Sequence, residues 1–285
     1  MIDLVDGVLL TASYVGLVLL VGVPGFLLYV WPQGRWNSAF TALAWSGWLL
    51  LVLTTAGLLL TASARTHYGL RDVIATQVGT SLVARLALLC IAGAWLAEVP
   101  SCYGADNGTF MAPAKVRAGL VALALAPLTF VSASRSVRGP WAAVTAVMDA
   151  AHVAAMTLWL ASLVVLAVRL MPQQHLTADQ LRQVIPRFTV VAAVCATTIA
   201  VTGLVVALAQ SHGARLLHSG YWTLVLAKTA VLAVIVIAGF EGRRYTRARH
   251  AGERGPHAER TAVAVELLMA TTALALSAAL TLTAS

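Results

Sequence analysis

Met148, His152 and Met156 recur at every fourth position of one apolar run, Met148-Asp149-Ala150-Ala151-His152-Val153-Ala154-Ala155-Met156. On an α-helix that spacing places all three on one face, one above the other. Two thioethers and an imidazole form a soft ligand set, suited to Cu(I). Mg²⁺ and other hard ions take oxygen ligands instead. Asp149, beside the ladder, is a source of charge balance for an entering cation. The small residues Ala151, Ala154 and Ala155 admit a close neighbouring helix. The same residues also suit plain packing, since methionine fills apolar cores and a single histidine is often only hydrogen-bonded.

Such a ladder needs helices to hold it, and the composition supplies them. The chain has 285 residues, of which 60% are apolar and 11% charged, with a mean hydropathy of +0.85. Soluble domains are about 25% charged, so a soluble enzyme, a nucleic-acid binder and a disordered chain are excluded. Eight stretches are long and apolar enough to span a bilayer: 5–31, 38–62, 79–98, 114–134, 141–170, 187–210, 220–241 and 260–283. They are continuously apolar rather than alternating, which favours helices over a β-barrel. The expected fold is an all-α polytopic membrane protein of eight transmembrane helices. The first stretch reads as a retained span, because Asp3 and Asp6 stand where a signal peptide carries basic residues.

Basic residues set the orientation. Loops 1, 3, 5 and 7 carry Arg35, Lys115, Arg117, Arg169, Arg182, Arg187 and six arginines between 243 and 260. The opposite loops carry Arg65, Arg71, Arg135, Arg138 and Arg215. Both termini are therefore expected to face outward, in a bacterial inner membrane. The basic run 243–260 then lies on the cytoplasmic side, where anionic lipid attracts it; the net charge of +8 is no sign of nucleic acid. The three cysteines, Cys90, Cys102 and Cys195, form no Cys-x-x-Cys pair.

The halves 1–139 and 140–285 read as two four-helix units, and as possible parallel repeats. Phe40-Thr41 leading to Ala56-Gly57-Leu58 is matched by Phe188-Thr189 leading to Thr202-Gly203-Leu204. Chance likeness between apolar helices is the competing explanation. Ionisable residues inside spans cost about 2.5–3.5 kcal/mol each on insertion scales. Besides Asp149 and His152 they are Arg85, Lys228 and Glu266, serving either packing or transport; Arg85 or Lys228 is placed to pair with Asp149. Histidines His67, His212 and His218 fall in outward loops and are candidates for an outer mouth above the ladder. Cys90 and Cys195 are further soft donors. Walker A, His-Glu-x-x-His and Gly-x-Ser-x-Gly motifs are absent from the sequence, so no catalytic residues and no catalytic turnover are expected.

Several segments together resemble the copper resistance D (CopD/PcoD-like) family. They are Met148-Asp149-Ala150-Ala151-His152 continuing to Leu158-Trp159-Leu160, then Pro186-Arg187-Phe188-Thr189 leading to Val201-Thr202-Gly203-Leu204, then Tyr221-Trp222 leading to Leu226-Ala227-Lys228, and Glu266. In the first half, Thr76-Gln77-Val78-Gly79 followed by Arg85 is similar to the family pattern. The resemblance implies an eight-helix inner-membrane protein that moves copper from the periplasmic side toward the cytoplasm, with a CopC-like periplasmic protein as donor. It implies His152 as the buried copper ligand, and it places Arg85, Lys228 and Glu266 at family positions. Many family members carry Gly-His-Ala at the outer end of the fourth span, where this chain has Val131-Ser132-Ala133-Ser134. Two other functions stay open. One is a scaffold that delivers copper to a partner through the outer loops. The other is a haem-b redox subunit, which needs a second buried imidazole beside His152, with His67 as its source. Oligomeric state is not expressed in the sequence.

Overall fold

The computed structural model describes residues 2–31, 38–66, 69–103, 129–130, 142–170 and 178–210, together with 226, 229, 230 and 233. Every regular element among them is helical: α1 (Ile2–Tyr29), α2 (Ser38–Thr66), α3 (Leu70–Ile74), α4 (Gln77–Tyr103), α5 (Ala142–Leu170) and α6 (Ala178–Gln210). Five of these, all but α3, are long and apolar enough to cross a membrane. The chain is a multi-pass membrane protein, and its apolar side chains serve both core and lipid-facing surface. Leu53, Leu60, Val147, Val190 and Leu204 point outward, whereas Leu17, Phe26, Phe40 and Leu163 are buried.

Several hydroxyls inside the spans are satisfied within their own helices. Ser13 donates to Leu9 O, Thr55 to Leu51 O and Ser162 to Leu158 O, each one turn back. Back-bonding of this kind lets a hydroxyl sit in hydrocarbon without an orphaned proton.

Helix α1 is central. It packs against α2 on one side and α5 on another, while α4 adds to α2 and α6 to α5. Asp6 meets Arg65, Leu9 meets Gly57, and Gly16 meets Gly47 and Leu51, so α1 and α2 run antiparallel. Along α5 the register rises with that of α1. Gly22 lies against Thr157 and Ala161, and Val23, Phe26 and Val30 share a core with Val165 and Leu166. Helices α1 and α5 are therefore parallel. Glycines make these approaches possible: a Cβ on Gly47 would stand 2.6 Å from Leu20 N and 2.7 Å from Gly16 O. Between α2 and α4 the indole Nε1 of Trp48 donates to Leu89 O at 2.7 Å, and Gly93 leaves room for the ring.

Two differences from the sequence reading have physical causes. Helix α6 begins at Ala178 rather than after Pro186. Proline removes one backbone donor from a helix, but Val184 is buried beside Val165 and Leu166 and keeps the preceding turns packed. The connection after α2 contains α3, whose C-terminal end is stitched to α4. Thr76 donates to Val73 O at 2.6 Å and accepts from Gly79 N at 3.1 Å, as an N-cap does. Gly79 has no side chain because the backbone of Val73 and Ile74 occupies that space. The Thr76-Gln77-Val78-Gly79 segment is thus a capped tight turn.

Where the start of α1 meets the end of α2, Arg65 and Asp6 form an ion pair at 2.5 Å, with Arg65 about half exposed. Arg65→Ala is expected to lower stability by at most about 1 kcal/mol, as for other exposed pairs. The measurement is the thermal midpoint of the purified protein; a drop of many degrees would show that the pair closes this end of the bundle.

Candidate functional site

The seam between α5 and α6 holds the strongest cluster of candidate residues. Val184, Phe188, Ala192, Cys195, Ile199 and Thr202 repeat every three or four positions and form the α6 face of the seam. From α5 come His152, Ala155, Met156 and Trp159. Alanines at 155 and 192 keep the two backbones close. His152 stands about 15 Å along α5, at 1.5 Å per residue, which places it well inside the span.

His152 is half-buried, and its Nδ1 lies 3.0 Å from Oγ1 of Thr202. Thr202 is 5% exposed and donates its hydroxyl to Thr198 O at 2.5 Å. Gly203 lies beside the ring, and a Cβ there would stand 3.4 Å from Cε1 and 3.8 Å from Nδ1. Two segments distant in sequence, Met148–His152 and Val201–Leu204, therefore meet at a single imidazole.

Met148 and Asp149 are half-buried one turn toward the start of α5. Met156, one turn further along, packs against the apolar cluster that includes Val18, Ala192, Cys195 and Ile199. Cys195 is buried in that cluster, whereas Cys90 is exposed on α4. The soft donors of the seam are thus His152, Met156 and Cys195, with Met148 one turn away. Among the described residues, no three His, Cys, Asp or Glu side chains gather into a metal cluster. A copper ion held here would rely on thioether sulfur as well as imidazole, a donor set that suits Cu(I).

Arg85 occupies a different pocket of side chains. It is 3% exposed. Its Nε donates to Thr129 Oγ1 at 3.2 Å and its Nη2 to Thr129 O at 3.1 Å. The guanidinium carbon sits 3.7 Å above the Phe130 ring, a cation–π contact. Nη1 is buried and has no hydrogen-bond partner among the described residues. Tyr14, stacked at a tilt on Phe130 with centroids 5.2 Å apart, lies within electrostatic range of both Arg85 and Asp149. It links the Arg85 pocket to the helix that carries His152.

His67, His212, His218, Lys228 and Glu266 lie outside the described residues, as does the segment Val131–Ser134. Sequence reasoning singled out His152 but not Thr202 as its partner, nor Thr129, Phe130 and Tyr14 around Arg85. The Thr-Gly pair inside the apolar run of α6 was the available signal for the first of these, because a polar residue beside a glycine marks a close approach.

Neither a curated protein nor a solved structure matches the chain. Residues 182–280 match the family model of copper resistance protein D. The matched stretch contains Cys195, Thr202 and Gly203, and His152 reaches it from α5. The match bears out the resemblance drawn from the motifs: over residues 182–280 the chain is similar to the copper resistance protein D (CopD) family.

Proposed function

We propose that this membrane protein handles copper by moving Cu(I) from the periplasmic side toward the cytoplasm along the α5–α6 seam. The observation that carries this reading is the imidazole of His152, set inside a span and held at Nδ1 by Thr202. Soft sulfur donors lie on the same two helices: Met148 and Met156 at four residues to either side of His152, and Cys195 seven residues from Thr202 on α6. An intramembrane histidine is costly unless it is used, and these neighbours suit a soft cation. The copper ion is cargo. It needs weak, successive ligands rather than a closed cage, and the absence of a three-residue His/Cys/carboxylate cluster among the described residues is compatible with that.

In this reading His67, His212 and His218 collect the ion at the outer mouth, and Asp149 balances its charge near the entrance. A CopC-like periplasmic protein is the donor. Both termini face outward from an inner membrane, and no bond of any substrate is made or broken. Arg85, Lys228 and Glu266 act in packing or in charge balance during transport.

The test is copper accumulation in cells expressing the wild type or His152→Ala at equal membrane levels, beside a vector control. The wild type is expected to raise cell copper, and His152→Ala to abolish the rise. Equal accumulation in the two would make the ladder core packing and favour a scaffold that works through its outer loops.

A further inference from the structure

We propose that Thr202 is a positioning residue that selects the tautomer of His152, keeping the proton on Nδ1 and the metal-binding lone pair on Nε2. The copper consequence rests on the function proposed above, but the proton assignment does not.

The argument follows the single hydroxyl proton of Thr202. Its Oγ1 lies 2.5 Å from Thr198 O, a separation at which two oxygens must share a proton. A carbonyl has no proton to give, so Thr202 donates there. A threonine hydroxyl has one proton and two lone pairs, and a lone pair therefore faces His152. Across that 3.0 Å gap, imidazole Nδ1 can bond only by donating. The other neutral tautomer would set two lone pairs against each other in a seam where Thr202 is 5% exposed. Gly203 complements this arrangement. With no side chain there, the Nδ1–Cε1 edge of the ring rests against α6, and a Cβ would already stand 3.4 Å from Cε1.

The consequence is selectivity between the two ring nitrogens. A cation at Nδ1 would displace both the proton and Thr202; a cation at Nε2 leaves the bond in place. Second partners of this kind fix ring orientation and raise the basicity of the ligating nitrogen. In most metal sites a carboxylate or a backbone carbonyl does this, whereas here the acceptor for the imidazole is the hydroxyl oxygen of a threonine whose own proton is given to a helix carbonyl. The chain runs Thr198 C=O, Thr202 hydroxyl, His152 Nδ1–H.

The experiment uses the full chain labelled with ¹⁵N-histidine, copper-free, at a pH well above the imidazole range. The His152 signals are assigned by their loss in His152→Ala. The wild type and Thr202→Ser are expected to show unprotonated Nε2 and protonated Nδ1, and Thr202→Val a shift toward the other tautomer. Protonated Nε2 in the wild type, or an unchanged spectrum in Thr202→Val, would overturn the assignment. Cu(I) is then titrated against a competing Cu(I) chelator. Thr202→Val is expected to bind about 10–100-fold more weakly, the usual loss for such a partner, and Thr202→Ser to bind like the wild type. A loss shared equally by both variants would reduce Thr202 to a packing role. If His152→Ala binds Cu(I) as tightly as the wild type, the copper reading fails while the spectra still decide the tautomer. If His152→Ala loses binding and Thr202→Val does not, Thr202 has no positioning role.

Discussion

Gly47→Leu is expected to leave little folded protein, with a loss of about 3 kcal/mol or more, at the top of the usual range for overpacking. The neighbours of the missing side chain decide this. A Cβ at 47 would stand 2.6 Å from Leu20 N, 2.7 Å from Gly16 O and 2.7 Å from Leu19 Cβ. Two of these are backbone atoms of the central helix and cannot move without parting α1 from α2. Gly57 lies ten residues along the same helix and gives the contrast. Its first contact would be the tip of Leu9 at 3.1 Å, a flexible group that can rotate away. Gly57→Ala should therefore stay within about 1 kcal/mol of the wild type, since alanine's helix propensity offsets the crowding. The measurement is the folded yield and thermal midpoint of the detergent-solubilised variants. Equal behaviour at the two positions would mean that α1 and α2 are not held by close backbone contact.

Arg85→Ala should cost about 3 kcal/mol or more, by emptying a buried volume beside Phe130 and removing the two hydrogen bonds that Arg85 gives Thr129. Arg85→Met is the informative partner. Methionine refills most of that volume without a charge, and replacing buried charges by apolar groups is often neutral or stabilising. Arg85→Met is expected to fall within about 1 kcal/mol of the wild type by denaturant unfolding, yet to lower copper accumulation. A protein that is stable and inactive would show that the positive charge is kept for function. One that is stable and fully active would make Arg85 a packing residue that happens to be charged.

The sequence revealed what depends on period and composition. Continuous apolar runs marked the five described spans, and the fourfold spacing of Met148, His152 and Met156 put them on one helix. What it hid depends on which helices touch. Thr202 lies fifty residues from His152, and alone it is indistinguishable from any back-bonded threonine in a span. Counting charges pointed Arg85 toward Asp149, but its described partners are the neutral oxygens of Thr129 and the face of Phe130, groups that no charge count registers. Pro186 was a misleading boundary, because a helix tolerates one lost donor when Val184 is buried on the far side of it. Helix α3 was missed because five residues are too few to show a period.

The parallel run of α1 and α5 also fixes the parity of the chain. A strand of rope that enters a wall twice from the same face has passed through it an even number of times in between. Counting from the start of α1 to the start of α5, helices α1, α2 and α4 make three passages. Between α4 and α5 the sequence holds one further apolar stretch, 114–134. Thr129 and Phe130 belong to that stretch, and they are the residues that hold Arg85. The arginine buried on the third passage is therefore gripped by two residues of the segment that joins α4 to α5.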